Sequence, residues 1–156
     1  MNRRLIEFKD AIASHIIVSF SDDKKFFPSI RDDDGCVGIL RMEVFDWDGK
    51  VLRSLFCDGE PVPENKIFNE GHAREILRFV NQYVDKIEFI ISQCDAGICR
   101  SSACAAALSY ILNGTDKIFF KPPYYPNRLI YRSILNEFID NMDSYQSIKK
   151  EWDKRF

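Results

Sequence analysis

The sequence of 156 residues has only two histidines, His15 and His72, and five cysteines, Cys36, Cys57, Cys94, Cys99 and Cys104, with no Cys-x-x-Cys pair among them. Zinc sites of the finger type need ligands in closely spaced pairs, which are missing here, and an odd thiol count argues against a disulfide framework. The expected state is reduced thiols in a cytoplasmic protein. No run of about 18 apolar residues occurs, so no membrane span is expected. The start, MNRRLIEFKDAIAS, is interrupted by Glu7, Lys9 and Asp10 and does not read as a signal peptide. With seven glycines and six prolines, collagen-like and low-complexity chains are excluded. Twenty-two Lys and Arg against 24 Asp and Glu give a net charge of −2. A basic excess is missing, which argues against a general nucleic-acid binder.

The chain does carry 46% hydrophobic and 13% aromatic residues, enough for one domain spanning 1–156 with its own core. Residues 15–20 (HIIVSF) form a β-branched run of the buried-strand type. Leu40, Met42 and Val44 alternate with polar or outward residues and end at Asp46. A further strand is expected over 51–56, joined by a turn at Asp48-Gly49. The polar stretches 21–38 and 59–66 read as loops. Ala73, Ile76, Leu77, Val80 and Val84 share a helical face, with Asn69 as N-cap. A strand over 87–92, an alanine-rich helix over about 101–112 closed by Asn113-Gly114, and an amphipathic helix around Leu129 to Ile139 follow. This alternation is the grammar of an α/β sheet flanked by helices. The charged segment 143–156 reads as a peripheral tail.

Chemistry concentrates in Gln93-Cys94-Asp95-Ala96-Gly97-Ile98-Cys99-Arg100-Ser101, between a strand and a helix start. A cysteine there faces unpaired N–H groups and the positive end of the helix dipole. That field favours a thiolate and an anionic ligand alike. Gly97 permits the turn, and Arg100 offers a forked pair of donors. The Cys-x5-Arg-Ser pattern, with Ala96, Gly97 and Ser101, resembles the signature loop of the cysteine-dependent protein tyrosine phosphatase superfamily, in its compact dual-specificity branch. The strand 15–19, the alternating run ending at Asp46, the helix 69–84 and Tyr125-Pro126-Asn127 are similar to bacterial and phage members. Two positions depart from the pattern: Gln93 replaces the usual histidine, and Cys99 replaces a small or hydroxyl residue.

The resemblance implies a central, mostly parallel sheet of four to five strands, with a phosphate loop between a central strand and a helix. It implies hydrolysis of phosphotyrosine, with phosphoserine and phosphothreonine as a wider range, through a phosphocysteine on Cys94. Arg100 and the amides of Asp95, Ala96, Gly97, Ile98 and Cys99 would hold the phosphoryl oxygens, and Ser101 would assist the departing thiolate. No metal or organic cofactor is implied, and the partners are phosphorylated proteins or small phosphomonoesters, with neither nucleic acid nor membrane. An upstream aspartate is the general acid. Asp46 fits by pattern and Asp58 by spacing, with Asp48 and Glu60 as lesser alternatives. Ser101 is equally a helix cap, Asn127 equally a cap of the next helix, and Cys99 and Cys104 packing residues. Cys57 and Cys99 are alternatives for a thiol that traps oxidised Cys94. The Asp22-Asp23-Lys24-Lys25 cluster reads as a solvated loop. A catalytically weak module that docks phosphorylated partners is the main alternative, and sulfur or arsenate chemistry a lesser one.

Overall fold

The computed structural model describes residues 13–30, 35–48, 56–57 and 60–155. Strand β1 (His15–Ser21) is buried along its whole length, as expected of the middle strand of a parallel sheet covered on both faces. It pairs in parallel with β2 (Cys36–Glu43) on one side and with β5 (Phe89–Gln93) on the other. The order is β2-β1-β5. Strands β3 (Phe56–Cys57) and β4 (Glu60–Pro61) form a separate two-residue antiparallel pair.

The sheet is therefore α/β as expected but narrower than the four to five strands implied by resemblance. Among the described residues it has three, and β5, the strand that leads into the Cys94 loop, stands at its edge and not at the centre implied by the resemblance. Pro61 within β4 and Pro63 just after it have no backbone N–H to give to a ladder, and β3 and β4 bond to each other rather than to β2. The expected turn at Asp48-Gly49 and most of the expected strand 51–56 lie outside the described residues, as do the amino-terminal residues 1–12.

Among the described residues four α-helices flank the sheet: α1 (Glu70–Tyr83), α2 (Arg100–Asn113), α3 (Arg128–Asp140) and α4 (Met142–Asp153). In α1, Asn69 accepts from the amides of Gly71 and His72, and the Asn69 amide donates to His72 Nδ1 at 3.2 Å, which closes a capping box. In α2, alanines 103, 106 and 107 are buried and let the helix approach β5 closely. Gly114 ends α2 at φ +72°, a backbone region that side chains disfavour.

The segment after Asp143, expected to be peripheral, contributes to the core. Tyr145, Ile148 and Trp152 are buried at helical spacing, and Trp152 Nε1 donates to Asn113 Oδ1 at 3.0 Å. Three apolar residues on one face outweigh the many charges on the other, since each such side chain buried contributes about 1.5–3 kcal/mol. No described helix is long and apolar enough to cross a membrane.

Candidate active site

Strand order decides what meets at the carboxyl edge of the sheet. From β1 the chain leads to β2 on one side, while β5 lies on the other, so the connections diverge between β1 and β5, the usual place for a ligand crevice in an open parallel sheet. Asp22 follows β1, Val44 and Asp46 follow β2, and Cys94 follows β5. All emerge at this edge.

The loop from Cys94 turns at Gly97, where φ is +71°, and enters α2 at Arg100. Cys94 is half-buried, and its Sγ lies 3.1 Å from Ser101 Oγ. Burial pushes the thiol pKa up. The Ser101 hydroxyl, the Ser101 and Gly97 amides and the Arg100 charge outweigh that and leave it below its ordinary value. Ser101 thus faces the thiol. It does not cap α2, whose N-cap residue Cys99 makes no side-chain cap bond. Ser102 instead donates to the carbonyls of Ile98 and Cys99.

Arg100 has a buried side chain, 6% exposed. Its Nη1 donates to Asp22 Oδ1 and, at 2.8 Å, to the Val44 carbonyl. Its Nη2 donates to Asp95 Oδ2 at 2.7 Å, and Nε is buried without a partner among the described residues. Asp22 is the residue missed by sequence reasoning. The signal was available in principle, because a residue just past a strand parallel to β5 must come out beside the loop after β5.

Asp46 is exposed, and its contacts run to Asn127 and Cys99. Asn127 Nδ2 donates to Asp46 Oδ1 at 2.8 Å and to the Trp47 carbonyl at 3.0 Å. Its Oδ1 caps α3 by accepting from the Ile130 amide at 3.1 Å, and its own amide donates to the Cys99 carbonyl at 3.1 Å. The cap expected of Asn127 is present, together with a tie to Asp46 and the loop that a cap alone does not require. Burial, then Asp46, pushes the Cys99 thiol up to about 11, so at neutral pH it is a hydrogen-bond donor and not a nucleophile. Cys104, fully buried, is pushed up to about 12.

Gln93, in the usual histidine position, donates from Nε2 to Ser19 Oγ at 2.8 Å. It ties β5 to β1 directly below the loop. Asp58 lies outside the described residues, and of Cys57 only the strand position is described. Beside the loop, on its Cys99 side, opens a pocket of about 540 Å³ walled by Trp47, Phe120, Tyr124 and Tyr125, with Asp46 and Arg128 at its polar positions. Cys94 does not line it. Among the described residues no group of three His, Cys, Asp or Glu side chains converges as a metal would require.

The chain matches no protein-family profile, no curated protein and no solved structure.

Proposed function

We propose that the protein is a cysteine-dependent phosphomonoester hydrolase of the tyrosine or dual-specificity phosphatase type, working in the cytoplasm on phosphotyrosine, with phosphoserine and phosphothreonine as a wider range. One observation carries this reading: a thiol with a lowered pKa faces a hydroxyl and two amides, beside a buried arginine, at the start of a helix. The same donors that favour a thiolate suit a phosphoryl group whose three equatorial oxygens gather charge.

The Cys94 thiolate attacks phosphorus, and an S–P bond forms as the ester P–O bond breaks. The leaving oxygen takes a proton from an aspartic acid, for which Asp46 is the described candidate and Asp58 the alternative. Water then attacks the phosphocysteine and gives its proton to the same aspartate. The S–P bond breaks, and Ser101 donates to the departing thiolate. The arginine and the amides supply the charge stabilisation, so the scheme needs no cofactor.

A module that binds phosphate without turnover is the second reading, favoured by the contacts that draw Asp46 toward Asn127 and Cys99. Turnover of p-nitrophenyl phosphate with EDTA present separates the two. Wild type should turn over and Cys94→Ser should not, while Cys94→Ser still binds tungstate. On a phosphotyrosine peptide, Asn at the true acid position, 46 or 58, should cost about 10² to 10⁴ in rate. Near wild-type turnover by Cys94→Ser would overturn the nucleophile, and an inactive wild type that binds tungstate would establish the binding module.

A further inference from the structure

The guanidinium of Arg100 is ligated unevenly, and the unevenness divides it into two ends. Nη1 is shared between Asp22 Oδ1 and the Val44 carbonyl, which come from the ends of two adjacent strands. That end is held twice by the framework of the sheet. Nη2 is held once, by Asp95 Oδ2. Asp95 belongs to the same short loop as Arg100, and its side chain is 52% exposed.

The covalent geometry of a guanidinium places the Nε–H beside one N–H of Nη2, so the two form a single edge suited to a two-oxygen acceptor. Asp95 engages Nη2, one of the two nitrogens of that edge. Nε is left buried and without a partner, a costly state for a charged donor. A phosphoryl group brings two oxygens at the spacing of the edge and would satisfy both donors.

We infer that Asp95 is a resident ligand of the Nε/Nη2 edge of Arg100, exchanged for the phosphoryl group of the substrate, while Asp22 and the Val44 carbonyl anchor the opposite end. The inference rests on the hydrolase reading and adds to it a positioning role for Asp22 and a competing role for Asp95. The exchange works in both directions. Asp95 swings out when a phosphoryl group enters, and its return displaces inorganic phosphate after hydrolysis. A small anion that gains little beyond the edge itself is therefore held weakly, and an ester with further contacts is favoured over its own product.

The test measures inorganic phosphate in two ways, by calorimetric binding and by competition against p-nitrophenyl phosphate, in wild type, Asp95→Asn, Asp95→Ser and Asp22→Asn. Both Asp95 variants should bind phosphate more tightly, by roughly five- to tenfold, since a like charge a few ångströms away is removed and the acceptor that remains is a neutral, weaker competitor in Asn and a shorter one in Ser. Asp22→Asn removes an equal charge of similar exposure from the anchored end, and should tighten binding much less than either Asp95 variant or weaken it. The Asp95 variants should also show a lower KM and stronger product inhibition. Equal tightening at both positions would mean a general charge effect and overturn the exchange. No tightening in the Asp95 variants would overturn it as well. These outcomes are distinct from failure of the hydrolase reading, which would appear as a wild type without Cys94-dependent turnover.

Discussion

Two arginine–carboxylate sites in this molecule are built with opposite polarity. Between α1, α3 and α4, Arg74 forks onto Glu137 through Nε at 3.1 Å and Nη2 at 3.4 Å, and Tyr145 donates to the same carboxylate at 3.0 Å. There the anion is buried, at 4% exposure, and the arginine is 43% exposed. At the Cys94 loop the cation is buried, while Asp22 and Asp95 are 47% and 52% exposed. A buried carboxylate with three donors is a finished structural joint. A buried arginine with half-hydrated partners and an unmet donor is an unfinished one, and on the inference above it is Asp95, not the anchoring Asp22, that can leave it, since a carboxylate already half in water regains the rest of its hydration at little cost.

The sharpest way to break this contrast is to keep both charges and remove both forks. Arg100→Lys should lower kcat/KM about 10²- to 10³-fold, the scale of losing an oxyanion donor, since an ammonium cannot offer two coplanar donors. Arg74→Lys should leave kcat/KM within about twofold, since nothing places Arg74 near Cys94. Steady-state kinetics on an aryl phosphate decides it, and equal losses at the two positions would erase the distinction.

Stability should order the sites the other way. Arg74→Met strips Glu137 of two donors and leaves a buried carboxylate with the Tyr145 hydroxyl alone. The expected loss is about 1–3 kcal/mol, reduced from the full cost of an unpaired buried charge because the arginine end lies partly in water. Arg100→Met removes a buried cation and an unmet donor while Asp22 and Asp95 turn to solvent, so that of its partners only the Val44 carbonyl is left buried without its donor. Its unfolding free energy should stay within about 1 kcal/mol of wild type, since an apolar residue of similar length often replaces a buried ion at no net loss. Urea unfolding of both variants measures this. A larger loss at Arg100 than at Arg74 would make Arg100 the structural joint.

The two sites also differ in how far the sequence exposes them. Cys94, Gly97, Arg100 and Ser101 lie within eight consecutive residues, so spacing alone brings them together around one turn and one helix start. Helices α1 and α3 were readable for the same local reason, each carrying a periodic stripe and a cap, and α2 from its alanine run and the Asn113-Gly114 stop. Asp22 was not, because its partner is 78 residues away and their meeting depends on β1 lying beside β5. Arg74 and Glu137 were hidden likewise, since the joint exists only once three helices have packed. In α4 the misleading quantity was composition. Lys149, Lys150, Glu151, Asp153 and Lys154 mask a face whose Tyr145, Ile148 and Trp152 are buried. The width of the sheet came from resemblance and not from the residues, and there the expectation exceeded the three strands found.

The smallest effect concerns acid conditions, under which the two arginine sites can be compared only after a third group has been separated from them. His72 lies in the first turn of α1, tilted against the Phe68 ring at 5.4 Å between centroids, with Nδ1 accepting from the Asn69 amide. Burial holds its pKa below the ordinary value of 6.5, although Glu75 and the Asn65 backbone act in the opposite sense. A protonated ring would set an N–H against the Asn69 N–H and open that half of the capping box. Because the folded pKa is the lower one, the stabilisation is fully present above about pH 6.5 and is lost as pH falls through the folded value. The amount is about 1 kcal/mol, the usual worth of a helix cap. His72→Gln supplies an acceptor that does not titrate and is the residue usually found at this place in a capping box. Urea unfolding at pH 7.5 and at pH 5 should therefore show wild type losing about 1 kcal/mol more than His72→Gln on acidification. A difference between the two proteins that does not change with pH would mean that His72 packs against Phe68 without titrating.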